Sequence, residues 1–205
     1  EIFQSDEDYY VNYFFASFTR LIRYISFFIT IGLPGFYLAL VTFHQALLPT
    51  PLLQSISLAR QGVPFPTVVE LVMMLVIFDV LREAGARMPG NMGGQALSIL
   101  GAIVIGQAAV EARIVSAPVI IIVALAGITS MMVMRTKGLS ILLRFTFVFA
   151  SAVIGLYGLL FAFMFGLLYL FGVTSFGIPI IGEVYNRTLQ DYKDLFTRAP
   201  WHAMI

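Results

Sequence analysis

The sequence predicts an all-α fold, a polytopic integral membrane helical domain of about five transmembrane helices. Three observations predict it. The chain is 60% hydrophobic and only 11% charged, where soluble domains carry about 25% charged residues. Its mean hydropathy is +0.93. From Tyr24 to Leu48 there is no Asp, Glu, Lys or Arg, and about 20 apolar residues suffice to cross the hydrocarbon core of a bilayer.

The formal net charge is +1 and no basic block stands out, which removes the electrostatic case for nucleic acid, since phosphate contacts need clustered Lys and Arg. With no cysteine, a disulfide framework and a thiolate metal site are both excluded. Residues 1–23 read as a juxtamembrane lead-in from a missing N-terminal soluble region, 24–173 as the transmembrane helical domain, and 174–205 as an amphipathic C-terminal tail of mixed charge.

The first span is Tyr24–Leu48. Arg20 and Arg23 precede it, as headgroup anchors do, and Gly32, Pro34 and Gly35 are expected to kink it. Pro49, Pro51, Gly62, Pro64 and Pro66 then bracket a short polar helix around Leu52–Gln61, a connector at the interface. The second apolar helix starts near Pro66, a favoured first-turn residue, and runs to about Ala86. A third, rich in Gly and Ala, covers Asn91–Ala112. A fourth covers Pro118–Met134, and the short link between third and fourth makes them antiparallel neighbours. The fifth stretch, Leu139–Val173, is about 50 Å long if wholly helical. It exceeds a ~30 Å core, so it is expected to tilt, with Arg144 emerging at one face. By the positive-inside rule Arg20, Arg23, Arg82, Arg87, Arg135, Lys137 and Arg144 put the N-terminus on the cytoplasmic side, whereas Arg187, Lys193 and Arg198 of the tail argue the other way and leave the span count open.

A charge inside such a helix costs roughly 2.5–3.5 kcal/mol at the bilayer centre, so the charges of the second helix need partners. Glu70 lies in the first turn, where the macrodipole favours an anion. Asp79 can pair with Arg82 at i+3, and Glu83 with Arg87 at i+4. The five are read as an intramembrane charge network, in which the Asp79, Arg82, Glu83 and Arg87 pairs close the helix end; the sharper alternative turns Asp79 or Glu83 toward a water-filled cavity. On a 100° wheel Asn91, Gln95, Ser98, Ala102, Gly106, Ala109 and Arg113 fall within about 80° of arc. The facing arc holds Leu97, Leu100, Val104 and Glu111. Such a small or polar stripe either lets helix backbones approach closely or lines an aqueous pathway with Arg113 at one mouth. One subunit has few helices to surround a pore, so a conduit implies a symmetric ring.

No catalytic, cofactor or metal constellation appears: His44 and His202 lie far apart, and there is no His-Glu-x-x-His pattern, P-loop or dinucleotide fingerprint. The expectation is a non-enzymatic protein without cofactor.

One run of motifs resembles a known family. Val63-Pro64-Phe65-Pro66, Glu70 to Asp79, Arg82-Glu83-Ala84-Gly85-Ala86-Arg87-Met88-Pro89, Gly101-Ala102-Ile103-Val104-Ile105-Gly106-Gln107-Ala108-Ala109-Val110 and Ile114-Val115-Ser116-Ala117-Pro118 follow in order. Leu33-Pro34-Gly35-Phe36-Tyr37 and Ser175-Phe176-Gly177-Ile178-Pro179 flank them. Together they resemble the membrane domain of the A subunit of GerA-family spore germinant receptors. The resemblance implies a nutrient-sensing complex in the inner membrane of bacterial spores. Its partners would be a permease-like B subunit and a lipoprotein C subunit, with the A subunits forming a homo-oligomeric ring that passes monovalent cations. Arg113 stands where the family usually has a small residue. The competing readings are a secondary transporter working through Asp79 and a non-conducting scaffold that docks the permease-like partner.

Overall fold

A computed structural model describes residues 6–87, 93–133, 137–172, 174–175 and 178–179, with the side chains of residues 6–7, 93–100, 170, 174–175 and 178–179 outside that description. The fold is all-α. In chain order the helices are α1 (Tyr13–Thr42), α2 (Thr50–Ala59), α3 (Thr67–Ala86), α4 (Gly93–Glu111), α5 (Ala117–Met132), α6 (Lys137–Ile154) and α7 (Leu156–Gly172). Two-residue strands, Thr174–Ser175 and Ile178–Pro179, pair antiparallel after the last helix.

Helix α1 begins eleven residues before the uncharged run. Asn12 caps it, its side-chain oxygen accepting the Phe14 N–H at 3.3 Å, the usual way a first-turn donor is satisfied. It then continues through Pro34 to Thr42. Arg20 therefore lies inside the helix, completely buried, instead of serving as a headgroup anchor. Asp8, itself buried, explains this: the Asp8 carboxylate accepts from Arg20 Nε at 3.3 Å and from the two Arg23 Nη atoms at 2.7 and 2.8 Å. At Gly35 the approach of α6 is so close that an added Cβ would meet Ser151 Oγ at 3.0 Å and the Phe147 carbonyl oxygen at 3.1 Å.

The connector helix and the second, third and fourth apolar helices fall within one to two residues of the expected boundaries. The neighbours differ. Helix α4 packs chiefly on α3 and touches α5 only lightly, because an open cleft of about 520 Å³, walled by Phe78, Ile103, Gly106, Ile120 and Ala124, separates much of α4 from α5. Residues 139–173 also depart from one tilted element. Gly155, at φ +71°, occupies a backbone region open to glycine at little cost, and α7 turns back along α6 so that Leu143 and Tyr169 border the same groove. At 1.5 Å per residue the two arms are about 27 and 26 Å long. The described residues thus hold six apolar helices where about five were expected. Of these, α1 and α6 are long and apolar enough to cross a membrane, and α5 and α7 are shorter apolar helices.

The core lies where α1, α3, α5 and α6 meet: Tyr37, Leu38 and Val41, then Leu71, Met74, Leu75 and Phe78, then Val119 and Val123, and Val148. The outward faces are apolar too, with Phe14, Phe28, Val104, Ile121, Leu142, Phe149, Phe165 and Tyr169 all exposed. Water would not solvate so continuous an apolar surface.

Candidate functional site

The polar side chains gather at the two ends of one helix pair. At the start of α3, Glu70 is completely buried. Its Oε2 accepts the Ser116 N–H at 3.0 Å and the Ser116 O–H at 2.7 Å, so Glu70 holds the residue that caps α5. Arg60, just after α2, reaches to 3.6 Å from its Oε1. The first-turn placement is as expected, and Ser116 and the core enclose the carboxylate.

At the far end of α3, Asp79 pairs with Arg144 of α6 and not with Arg82. The physical reason is burial: Arg144 is about 1% exposed, and a guanidinium that deep needs an anion. Arg82 instead donates from Nη1 to Ser130 Oγ on α5, and that hydroxyl in turn donates to the Gly127 carbonyl at 2.6 Å. The Glu83–Arg87 pair forms as expected, at 3.0 Å, and Lys137 joins it from α6, also at 3.0 Å. This outer trio is exposed, whereas Asp79 and Arg144 sit deeper. Expected Arg144 emergence is corrected by the same contact.

Midway, Thr30 and Thr129 share a hydrogen bond of 2.9 Å between α1 and α5, and Ser26 donates to the Met132 sulfur at 3.2 Å. His44 lies edge-on to Tyr157, with ring centroids 5.9 Å apart.

Of the small stripe on α4, Asn91 lies outside the described residues, and so do the side chains of Gln95 and Ser98. Ala102 and Ala109 pack against the core. Gly106 is buried under Ile120, whose Cγ2 would stand 3.2 Å from an added Cβ. Arg113 is exposed at φ +54° with its guanidinium against Gly62. Val104, on the facing arc, points outward. Ala102 and Gly106 also border the cleft between α3, α4 and α5.

Sequence reasoning missed Arg144, Arg60, Ser116 and Ser130 as partners. A signal existed for Arg144: a lone cation in an otherwise apolar helix asks for a partner on another helix, and Asp79 is a carboxylate well inside its own apolar helix. Ser116 and Ser130 carried no such signal, because a serine in a helix pair is usually satisfied within its own turn.

An all-helical bundle with apolar outward faces and charges paired between helices defines a class, the multi-helix domains that a bilayer solvates. The chain belongs to the GerA family: the model described as Bacillus/Clostridium GerA spore germination protein matches residues 1–205. Among similar proteins of Bacillus subtilis, spore germination protein KA is 45% identical over 208 residues, covering 99% of this chain and 38% of its own length. Spore germination protein A1 is 41% identical over 201 residues, covering 97% and 42%. The uncharacterized membrane protein YfkQ is 43% identical over 206 residues, covering 100% and 40%. The chain thus spans about two fifths of the length of these relatives. No solved structure matches it.

Proposed function

We propose that this chain is the membrane domain of a spore germinant receptor A subunit, held in the spore inner membrane. There it assembles into a homo-oligomeric ring that passes monovalent cations once nutrient is sensed. It works with a permease-like B subunit and a lipoprotein C subunit, and has no catalytic role. The observation that carries the reading is the match of residues 1–205 to the GerA family, on a bundle whose outward faces are apolar and whose charges are paired inside.

In this reading the pathway follows α4. Asn91, Gln95 and Ser98 are its wetted end and Arg113 its opposite mouth. Ala102, Gly106 and Ala109 run along its narrow middle, beside the cleft of about 520 Å³ that Phe78, Ile103 and Ile120 wall with apolar groups. Apolar constrictions of this kind gate by dewetting. The Glu70, Asp79, Arg82, Glu83 and Arg87 charges fix α3, against which α4 lies.

The test is cation flux. Full-length protein with its partner subunits, reconstituted in liposomes, should pass K⁺ on addition of nutrient. Ser98→Phe and Ala102→Phe should each cut that flux severalfold; undiminished flux in both would refute the pathway. A scaffold role has one observation in its favour, the dry contact of Gly106 with Ile120. It predicts co-purification with the partner subunits and no flux in any variant.

A further inference from the structure

The Arg113 end of the bundle contains an incompletely satisfied anion. Glu70 is completely buried, and while its Oε2 takes both Ser116 donors, its Oε1 has no hydrogen-bond partner. The Tyr37 hydroxyl and Arg60 Nε are likewise buried without one, and Tyr37 lies within the field of both charges. The cation beside Glu70 is Arg60, whose Nη2 stops at 3.6 Å from Oε1, beyond hydrogen-bond length. An unmet oxygen on a buried carboxylate is costly.

Arg60 itself is 29% exposed. It borders a recess of about 680 Å³ that Val41, Gln45, Gln54, Ser57 and Gln61 also line. The guanidinium therefore stands between an open, amide-rich recess and a buried anion. Arginine keeps its charge at every pH of interest, so it cannot be neutralised in place; it can only move. When it moves into the recess it uncovers one carboxylate oxygen, and the partnerless Tyr37 hydroxyl, in the field of the same two charges, is a second oxygen of the type that hard cations take. A single carboxylate suits a single positive charge, and among the described residues no group of three His, Cys, Asp or Glu could hold a multivalent ion. Gly62, two residues past Arg60, lies against Arg113, so the site adjoins the mouth of the pathway.

We propose that Glu70 Oε1 and the Tyr37 hydroxyl form a monovalent-cation site whose present occupant is the tethered guanidinium of Arg60, a displaceable plug at the Arg113 end of the pathway. Its gating role rests on the cation-pathway reading above; the site itself does not.

The experiment measures thermal unfolding of the full-length protein in detergent micelles, in KCl against choline chloride at equal ionic strength. Wild type, with its plug in place, should unfold alike in both. Arg60→Gln should gain roughly 1–2 °C in KCl, the shift expected for a full-length protein about two and a half times this chain's length when a ligand stands near ten times its Kd. Adding Tyr37→Phe should shrink that gain, and adding Glu70→Gln, which keeps an acceptor for Ser116, should abolish it. Equal unfolding of Arg60→Gln in both salts overturns the site. So does a chain unable to fold as either Arg60→Gln or Arg60→Ala, which marks a structural ion pair. K⁺ flux on the same variants separates the two claims: flux without K⁺ stabilisation refutes the site and leaves the pathway standing, and stabilisation without flux does the reverse.

Discussion

The Asp79–Arg144 pair gives the sharpest stability prediction, because its two members are buried unequally. Arg144 is 1% exposed and Asp79 17%, and the Arg82 charge lies close enough to act on Arg144. Replacing Asp79 with Ala leaves the buried Arg144 guanidinium without its anion and still within the field of the Arg82 charge. Breaking a buried pair by removing one partner costs about 3–5 kcal/mol; partial exposure of Asp79 places the expected loss at the lower end, about 3 kcal/mol. Replacing Arg144 with Met is milder. It leaves a partly exposed carboxylate with Arg82 one turn away on the same helix, and a cost of about 1–2 kcal/mol is expected. The double variant Asp79→Ala, Arg144→Met removes both charges and should be close to the Arg144→Met single, giving a coupling energy of about 3 kcal/mol.

The assay is equilibrium unfolding of the full-length protein in mixed micelles, followed by far-ultraviolet circular dichroism, for wild type, both singles and the double. The order of the singles is the test. Were Arg144→Met to cost more than Asp79→Ala, or the double to equal the sum of the singles, the pair would not be the deep, mutually dependent contact described above.

Three further outcomes follow from the same geometry. Glu70→Ala should destabilise by about 2 kcal/mol or more, since Ser116 N–H and O–H would both lose their acceptor, while Glu70→Gln should recover most of that by the same unfolding measurement. Gly155→Val should cost about 1–3 kcal/mol, because φ is +71° and a Cβ would meet Phe43 Cβ at 2.9 Å; a cysteine pair at positions 143 and 169 should then cross-link less readily as the hairpin opens. Gly127→Leu should cost about 1–3 kcal/mol by overpacking, since the Phe78 ring already fills the space of a side chain at 127, and Phe78→Ala on that background should restore part of the loss.

Much of the fold was legible because its signals are local. Apolar runs, Pro66 and Pro118 at helix starts, and the Gly-Pro-rich link around α2 each mark an element without reference to any other. Gly155 was not legible: embedded between Ile154 and Leu156, it reads as one more small residue in an apolar helix. Only the tertiary return of α7 on α6 makes its positive φ necessary. The charges failed for the same reason. Local spacing offered Asp79 a partner at i+3, and the actual partner lies 65 residues away. Glu83 and Arg87, which are exposed, obeyed the local rule. Burial decides which rule applies, because a surface pair needs only proximity, whereas a buried cation must take an anion that the packing brings within reach.

The polar contacts also assign a mechanical unit. Glu70, in the first turn of α3, bonds Ser116 at the start of α5; Arg82, near the end of α3, bonds Ser130 near the end of α5. Start meets start and end meets end, so the two helices run parallel and are clasped at both ends, over about 18–21 Å at 1.5 Å per residue. Asp79–Arg144 ties this pair to α6, and Thr30–Thr129 ties it to α1. Helix α4 meets the pair differently, through Ala102, Gly106 and Ala109 beside an open cleft. Small apolar contacts resist sliding less than directional bonds between charged groups do. On the cation pathway proposed above, a rearrangement that widens the route moves α4 against a fixed α3–α5 frame, so cross-linking α3 to α5 should leave K⁺ flux intact while cross-linking α3 to α4 stops it.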